Sequence, residues 1–321
     1  MAGKSEHIPL ISVCVPAYKH PEYVERLLDS LVAQTFKDFE VVITDDSPDN
    51  AVQELIHGYR DRLMLSYYRN VPALGTPANW NEAIRNANGQ WIKLIHDDDW
   101  LAADDSLAAF AAVIAENEHV SFIFSSYINV TAKKPSAAIT PSAYRLRALQ
   151  QNPVTLLSKN IIGPPSVVIH RNDGKHFYDE KLKWLVDMDF YIRYLEHHRA
   201  FYIERALVNI GLNDLQVTRS SSLVREVEIP EHFRVLQKTG ISQLRNLLVY
   251  DAWWRLFRNL RIRNIEEIDA AGYKGTVPVA LRSMIHFQSR YPLKLLRIGI
   301  ISKALMLSSY TYNQVAGNFT S

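Results

Sequence analysis

Short apolar runs alternate with longer amphipathic stretches through the first half of the chain. The apolar runs, bounded by Pro, Gly, Asp or Asn, predict strands at 11–15, 40–44, 64–68, 91–95 and 121–125. The stretches between them predict helices near 22–33, 51–59, 77–87 and 104–116. This alternation is typical of βαβ units and predicts an α/β fold with a mostly parallel sheet covered by helices.

The second half of the chain has a different pattern. Residues 131–147 are polar and interrupted by proline, which indicates a long surface loop or lid. Apolar residues at helical spacing predict a helix over 184–197, and further helices at 229–248, 251–260, 277–288 and 293–307. We therefore expect a catalytic domain at 1–225 and a helical C-terminal region at 226–321.

Composition narrows the class of protein. A hydrophobic fraction of 47% and a charged fraction of 22% are ordinary for a folded globular chain. The N-terminus lacks the apolar core of a signal peptide and no run of 18 apolar residues occurs, so we expect a cytoplasmic protein. The single cysteine, Cys14, lies in an apolar run and is expected to be a core residue.

The C-terminal part is basic. Residues 240–321 hold eleven Lys or Arg and four Asp or Glu. Such a surface could meet anionic lipid headgroups or a phosphorylated acceptor, giving peripheral membrane contact, or it could simply be a solvated helix face. Nucleic acid is not expected as a partner, because the basic residues are dispersed without a recognisable reading module.

Three loops at strand ends are expected to line one crevice. They span residues 16–20, 45–50 and 96–100. In an open parallel sheet, ligands bind beyond the carboxyl ends of the strands.

The strongest chemical signal is the run Asp97-Asp98-Asp99, directly after an apolar strand. Three neighbouring anions repel one another, and a divalent cation with oxygen preferences relieves that repulsion, so Mn²⁺ or Mg²⁺ is implied. Side chains that alternate along a strand would turn Asp98 away from the other two, so one or two of the three should bind metal. The alternative is a helix cap or a solvated turn.

A second acidic pair, Asp45-Asp46, ends another predicted strand. A carboxylate there can accept hydrogen bonds from a nucleobase N–H or a ribose hydroxyl, as in dinucleotide-binding folds. The following Ser-Pro-Asp-Asn composition fits a turn-forming role equally well.

Together these segments resemble the family 2 glycosyltransferases. The resemblance rests on ISVCVPAY at 11–18, FEVVITDDS at 39–47, RNVPALGTPANWN at 69–81 and GQWIKLIHDDDWL at 89–101, which occur in the family's order and spacing. It extends over roughly residues 8–215 and includes 163–166 and 184–193. It implies a Rossmann-like fold of the GT-A type and transfer of a sugar from a nucleoside diphosphate sugar to an acceptor hydroxyl.

The resemblance also assigns the donor site. It implies nucleotide-binding residues at the ends of three strands, namely Pro16, Ala17, Tyr18, Asp45, Asp46, Arg69 and Asp97. Asp98 is the principal metal ligand that it implies, with Asp99 beside it, and the cation is Mn²⁺ or Mg²⁺. Gly75 could adopt a positive φ angle in the loop that shapes the donor pocket.

The general base that the resemblance implies is Asp187, at the start of a predicted helix. A carboxylate there would take the proton of the acceptor hydroxyl, and direct displacement of this kind inverts the anomeric centre. Val186 departs from the family, which often carries Glu at that position. The alternative for Asp187, and the preferred interpretation of Asp189, is a carboxylate that stabilises a helix N-terminus.

The acceptor side is implied at a proline-rich loop and at one aromatic residue: Gly163, Pro164, Pro165, Ser166 and Trp184. Arg219 is a further candidate contact for the diphosphate. The resemblance favours a UDP- or dTDP-sugar and a saccharide or lipid-linked saccharide acceptor in bacterial polysaccharide, lipopolysaccharide or glycoprotein assembly. A catalytically silent nucleotide-binding or scaffold protein with the same fold is the alternative.

Overall fold

The computed structural model describes residues 7–131, 134–212 and 223–319. The chain forms two compact units. The first comprises residues 1–150, 161–181 and 193–214, and the second comprises residues 151–160, 182–192 and 215–321. The domain boundary expected at residue 225 stays a prediction, and two short earlier segments belong with the C-terminal helices in the structure.

A mixed sheet organises the first unit. In chain order its strands are β1 (Ile11–Ala17), β2 (Phe39–Asp45), β3 (Leu65–Arg69), β4 (Trp91–Leu94), β5 (Trp100–Leu101), β6 (Phe122–Val130), β7 (Val168–Arg171) and β8 (Ala200–Gly211). Their order across the sheet is β3-β2-β1-β4-β7-β6-β8-β5. The first four strands run parallel, while β7 is antiparallel to both neighbours. The predicted α/β fold is confirmed.

The strands β1 and β2 are buried along their whole length. A parallel strand covered on both faces is apolar at consecutive positions, which is why these segments show as continuous apolar runs in the sequence. Cys14 lies in β1 and is fully buried, and this burial raises the pKa of its thiol. The prediction that Cys14 is a core residue is confirmed.

Helices fill the remaining regular segments of the described chain. Up to residue 195 they are α1 (Pro21–Val32), α2 (Ala51–Ile56), α3 (Ala78–Arg85), α4 (Ser106–Glu116), α5 (Ala143–Gln151) and α6 (Val186–Leu195). From residue 225 onward they are α7 (Arg225–Thr239), α8 (Leu247–Asn259), α9 (Glu266–Ala270), α10 (Val279–Ser289), α11 (Leu293–Leu296) and α12 (Gly299–Val315). None of the helices in these ranges combines the length and apolar character needed to cross a bilayer.

The core of the second unit forms between α8 and α12. Trp253 and Trp254 of α8 are both buried. Trp254 Nε1 donates to Ser302 Oγ (3.0 Å), and the Tyr250 and Ser309 hydroxyls are hydrogen-bonded (2.7 Å). These contacts make α12 part of the packed unit.

The strand β8 was missed by the sequence pattern. It pairs with β6, but the register shifts where Ile203 pairs with Ser125 and Ala206 pairs with Ser126. The two residues inside that bulge, Glu204 and Arg205, are exposed and charged, so the expected alternation of buried and exposed positions breaks.

Two segments that the sequence predicts as single helices are each divided into two in the structure, so these predictions are wrong. Residues 229–248 are divided at Gly240, whose φ of 91° is not helical. Residues 293–307 are divided at Ile298, which is extended. The loop predicted at 131–147 ends earlier than expected, because α5 begins at Ala143.

Candidate functional site

The loops that follow β1, β2 and β4 meet in the first unit. The Tyr18 N–H donates to Asp97 Oδ2 (3.1 Å), which joins the loops after β1 and β4. The Lys19 N–H donates to Ser47 Oγ (2.7 Å), which joins the loops after β1 and β2. The convergence predicted for these loops is therefore present, and it follows from the parallel arrangement of the three strands.

Asp45 is fully buried at the end of β2. Its Oδ1 accepts from the Ser47 N–H (2.8 Å) and its Oδ2 accepts from the Tyr67 hydroxyl (2.8 Å). The first of these bonds holds the loop after β2, which is the turn-forming role that the sequence left as an alternative, and the second ties Asp45 to β3.

Asp46 holds the next loop instead. Its Oδ1 accepts from Asn70 Nδ2 (2.8 Å) and from the Leu74 N–H (3.0 Å), and its Oδ2 accepts from the Gly75 N–H (2.7 Å). Gly75 has a φ of 74°, so the positive φ considered for it is confirmed. The Asp46 N–H donates to the Ala17 carbonyl (3.0 Å), which ties the segment Pro16-Ala17 to the same loop.

Arg69, the last residue of β3, reaches across to the loop after β2. Its guanidinium donates to Asn50 Oδ1 and to the carbonyls of Ser47 (3.4 Å) and Pro48 (3.1 Å). Its Nε is buried and has no hydrogen-bond partner among the described residues. The guanidinium therefore stabilises the loop of the predicted nucleotide site.

The three aspartates lie in a turn and not on a strand. The Asp99 N–H donates to the His96 carbonyl (3.1 Å). A ring nitrogen of His96 and one carboxylate oxygen each of Asp98 and Asp99 lie within 4.8 Å of one another. The expectation that strand alternation turns Asp98 away from Asp99 is wrong, because the turn brings both to one side.

Burial and mutual repulsion perturb this cluster. Burial, followed by the nearby Asp98 carboxylate, raises the pKa of Asp97 to about 7 and raises the pKa of Asp99 well above its usual range. Burial lowers the pKa of His96. The cluster therefore concentrates carboxylates that resist ionising together, which a divalent cation would relieve.

Neighbouring elements fix the acidic turn from two directions. Gly211, the last residue of β8, donates its N–H to Asp99 Oδ1 (2.9 Å). Arg26 of α1 donates from Nη2 to the Asp98 carbonyl (2.6 Å), and its guanidinium lies 3.8 Å from the ring centroid of Trp100. The turn is thus positioned by groups that the sequence pattern did not single out.

The proline-rich loop at 163–166 also touches the turn. The Ser166 hydroxyl accepts from the His96 N–H (3.0 Å). The Ser166 carbonyl accepts from the buried amine of Lys93 in β4. Gly163 has a φ of 106°, and Pro165 begins a single 3₁₀ turn that positions Ser166.

Asp187 lies in the first turn of α6, in the second unit. Its Oδ2 accepts from Asn160 Nδ2 (2.8 Å). Burial raises its pKa to about 6, while the Met188 N–H and Asn160 oppose that rise. A carboxylate with such a pKa is suited to accept a proton near neutral pH.

Glu231 of α7 holds the segment that precedes α6. Its Oε1 accepts from the Lys183 N–H (2.6 Å), and its Oε2 accepts from the N–H groups of Trp184 (2.9 Å) and Leu185 (2.8 Å). Glu231 is buried, and of the three bonds only the one to the Leu185 N–H is fully buried. Trp184 is partly exposed beside them.

Asp189, two residues after Asp187, forms an ion pair with Lys238 of α7 (Nζ to Oδ1, 2.5 Å). The Asp189 side chain is 1% exposed. A buried carboxylate paired with an ammonium has a structural role, while the stabilisation of the helix N-terminus preferred from the sequence stays a prediction.

The comparisons with known proteins agree with this geometry. Residues 12–169 match the family model described as Glycosyl transferase family 2. The chain contains a glycosyltransferase family 2 domain. It is therefore an enzyme that uses a nucleotide sugar.

Two relatives illustrate the match. An uncharacterized glycosyltransferase of Methanocaldococcus jannaschii is 28% identical over 208 residues, which cover 63% of this chain and 70% of that protein. The poly(ribitol-phosphate) beta-N-acetylglucosaminyltransferase TarS of Staphylococcus aureus is 28% identical over 197 residues, which cover 59% of this chain and 33% of that protein.

Solved structures share the fold. Residues 1–349 of S. aureus TarS in complex with UDP-GlcNAc align with a TM-score of 0.57 at 20% identity, covering 97% of this chain and 93% of that one. The mannosyltransferase PcManGT of Pyrobaculum calidifontis, in complex with GDP-Man and Mn²⁺, aligns with a TM-score of 0.53 at 16% identity, covering 97% and 88%.

Several residues of this family 2 enzyme's site escaped the sequence analysis. Gly211 and Glu231 come from elements whose sequences carry no motif, so only the fold reveals them. His96, which directly precedes the aspartates, is by itself only weak evidence for metal ligation in the sequence, so it was not among the predicted ligands. The candidate diphosphate contact Arg219 lies outside the described residues.

Proposed function

We propose that this glycosyltransferase is metal-dependent and inverting, with the donor held at the strand ends of the first unit. The observation that carries the proposal is the acidic turn, where Asp98 and Asp99 lie together beside the loop of Tyr18. A cluster of carboxylates at the carboxyl ends of parallel strands is where a nucleoside diphosphate and its cation would bind.

The nucleoside contacts come from the loops that converge there. We assign them to Pro16, Ala17, Tyr18, Asp45, Asp46, Arg69 and Asp97. Tyr18 is 52% exposed, so its ring is available to a base. Three of these residues also stabilise the loops themselves: Asp45 and Asp46 accept from the N–H groups of Ser47 and Gly75, and Arg69 donates to the Pro48 carbonyl.

The donor atoms fit a divalent cation. Asp98 and Asp99 offer hard oxygen ligands, and their mutual repulsion favours a cation between them. When bound there, Mn²⁺ or Mg²⁺ neutralises charge on the departing diphosphate. The UDP-GlcNAc complex of TarS and the GDP-Man and Mn²⁺ complex of PcManGT support a metal-bound nucleotide sugar.

Asp187 is assigned as the general base. It takes the proton of the acceptor hydroxyl while the oxygen forms a bond to the anomeric carbon and the bond from that carbon to the diphosphate breaks. The nucleoside diphosphate leaves and the anomeric centre is inverted. The pKa of about 6 keeps the carboxylate largely ionised at neutral pH.

The acceptor side is assigned to Gly163, Pro164, Pro165, Ser166 and Trp184. For the substrates we propose a UDP- or dTDP-sugar and a saccharide or lipid-linked saccharide, used in bacterial polysaccharide, lipopolysaccharide or glycoprotein assembly. The N-acetylglucosaminyltransferase TarS, which acts on poly(ribitol-phosphate), supports a polymeric envelope acceptor.

A thermal-shift panel of nucleoside diphosphates tests the donor site. Wild type and Asp98→Ala are compared with and without Mn²⁺, because a ligand at 100 times its dissociation constant stabilises the folded state by about 2.7 kcal/mol. We expect one diphosphate to raise the Tm only with Mn²⁺, and the shift to vanish in Asp98→Ala. No shift with any diphosphate at saturating concentration would contradict the proposal.

The alternative is a silent protein that binds the nucleotide without transferring sugar. It predicts the same thermal shift, so turnover must separate the two. With the donor identified by the panel, transfer or donor hydrolysis that is lost in Asp187→Asn supports the enzyme. Tight donor binding with no turnover by wild type supports the silent alternative.

Peripheral membrane contact is proposed for the segment that links α10, α11 and α12. Residues 270–321 contain six Lys or Arg and no Asp or Glu. Ile298 is 51% exposed and Ile300 is 86% exposed, close in sequence to the exposed Lys294 and Arg297. An apolar pair flanked by cations suits an anionic lipid surface.

Sedimentation with anionic vesicles tests this contact. Deleting residues 290–321 is a poor test, because α12 supplies the partners of Trp254 and Tyr250. We expect Ile298→Ser/Ile300→Ser to reduce sedimentation at least tenfold with an unchanged Tm. Equal sedimentation of the double variant and wild type would contradict membrane contact.

A further inference from the structure

The ring of His96 is held in a fixed position one residue before the aspartates. The His96 N–H donates to Ser166 Oγ (3.0 Å), and the ring packs on Trp80 with centroids 4.6 Å apart. Trp80 is itself held edge-on against Tyr178, with centroids 5.2 Å apart. The imidazole is therefore oriented by packing on one side and by its backbone on the other.

One polar atom of this ring is unexplained by packing. The His96 Nε2 is buried and has no hydrogen-bond partner among the described residues. A buried nitrogen without a partner costs free energy, and a phenylalanine would pack on Trp80 without that cost. The nitrogen therefore points to a ligand.

The neighbours of His96 indicate which kind of ligand. A ring nitrogen of His96 and carboxylate oxygens of Asp98 and Asp99 lie within 4.8 Å of one another. Atoms that share one cation at bonds of about 2.1 Å lie at most about 4.2 Å apart, so a small contraction brings all three into one coordination shell. Asp97 is not in this group, and its Oδ2 accepts from the Tyr18 N–H.

We propose that His96 is a third side-chain ligand of the cation held by Asp98 and Asp99. This inference rests on the proposed function, which places a divalent cation at the two carboxylates. An adjacent carboxylate pair and an imidazole form a mixed oxygen and nitrogen donor set.

The nitrogen ligand determines which cation the site prefers. Mg²⁺ strongly favours oxygen ligands, whereas imidazole suits first-row transition metals. A site with one imidazole and two carboxylates selects Mn²⁺ or Co²⁺ over Mg²⁺. The sequence alone allowed Mn²⁺ or Mg²⁺ equally.

Mn²⁺ alone is the probe that tests the proposal, on the full chain stripped of metal. The electron paramagnetic resonance signal of free Mn²⁺ measures affinity, and electron spin echo modulation detects a directly bound ¹⁴N. The variants are His96→Gln, His96→Phe and Asp98→Ala. His119→Gln is the matched control, because His119 is exposed beyond the end of α4.

We expect a ¹⁴N modulation in wild type and His119→Gln that is absent from His96→Gln and His96→Phe. We also expect both His96 variants to bind Mn²⁺ at least about tenfold more weakly, with a smaller preference for Mn²⁺ over competing Mg²⁺. His96→Phe keeps the ring on Trp80, so a Tm near that of wild type separates ligand loss from misfolding.

Two outcomes would overturn the proposal, and they are distinguishable. If wild type binds Mn²⁺ through Asp98 but shows no ¹⁴N modulation, or if the His96 variants bind equally tightly, His96 is not a ligand and the carboxylate site stands. If Asp98→Ala binds Mn²⁺ as wild type does, the metal site of the proposed function fails as well.

Discussion

Gly211 lies directly against the carbonyl oxygen of Asp98: a Cβ atom on Gly211 would come within 2.2 Å of that oxygen. The N–H of the same glycine donates to the Asp99 carboxylate (2.9 Å). The end of β8 therefore clamps the acidic turn through backbone atoms, which cannot move aside as a flexible side chain would. Only glycine permits this approach.

Gly211→Ala should displace the acidic turn. Overpacking of this kind costs about 1–3 kcal/mol, so urea unfolding should show a loss of that size together with weaker Mn²⁺ binding. Gly58→Ala is the matched control, because a Cβ there meets nothing within 4 Å. Unchanged stability and metal affinity in Gly211→Ala would contradict the clamp.

The pH–rate profile of the reaction should have an acidic limb near pH 6 because of Asp187. The carboxylate is the proposed base, and its pKa is about 6, so kcat/KM should rise as the pH passes through that value. Asp187→Asn should lower the rate by about 10²–10⁴-fold. A wild-type profile that stays flat from pH 5 to pH 7 would argue against Asp187.

The same pKa has a consequence for stability. The folded state holds the Asp187 proton more tightly than the unfolded chain, whose pKa is about 3.9. Between about pH 4 and pH 6 the folded state therefore binds more protons, and the free energy of unfolding falls as the pH rises. Asp187→Asn should remove this part of the decline, as measured by urea unfolding at several pH values.

Glu231→Ala should impair the segment that carries Asp187. It leaves the N–H groups of Lys183, Trp184 and Leu185 without their acceptor, and the buried Leu185 N–H alone costs about 1–3 kcal/mol when it is left unsatisfied. The free energy of unfolding, measured by urea denaturation, and kcat should both fall. Glu226→Ala, an exposed change in the same helix, should leave both unchanged.

Lys238→Met should destabilise the second unit. It leaves the buried Asp189 carboxylate without its ammonium partner, and breaking such a pair costs about 3–5 kcal/mol. The double variant Asp189→Leu/Lys238→Met removes both charges and should recover most of the loss. A double variant no more stable than Lys238→Met would show that the ion pair is not the cause.

Lys93 should make stability rise with pH above neutrality. Its amine is fully buried in β4, and that burial lowers its pKa to about 7, against about 10.4 in an unfolded chain. Between these values the unfolded chain binds more protons, so the free energy of unfolding increases by up to about 1.4 kcal/mol per pH unit. Urea unfolding of Lys93→Met at pH 7, 8 and 9 should lack this slope.

The strands β1, β2 and β4 could be predicted because they are buried along their whole length. Continuous apolar runs marked β1 and β2, and the polar residues that follow them marked the loops of the site. The turn at Asp97, Asp98 and Asp99 was found for the same reason, since charge next to a buried strand is conspicuous. The direction of each carboxylate could not be predicted from the sequence, because these residues lie in a turn and not on a strand.

The supporting residues could not be predicted because their partners are distant in the chain. Glu231 lies 46 residues beyond Leu185, and Gly211 lies 112 residues beyond Asp99. The pattern of apolar and polar residues within one segment cannot predict contacts over such distances in the chain. β8 was missed for a local reason, since the charged bulge at Glu204 and Arg205 interrupts its periodicity.

The hydrogen bonds from residues 183–185 to Glu231 limit how this enzyme can be shortened. A chain cut at residue 225 would keep every motif of the sugar-transfer family, yet it would lose both the Glu231 carboxylate and the Lys238 ammonium that steady the start of α6. The proposed base, Asp187, is thus encoded in one region of the gene, while residues encoded in another hold the start of its helix in place. Exchange of C-terminal regions between relatives would therefore also exchange the residues that support the proposed base.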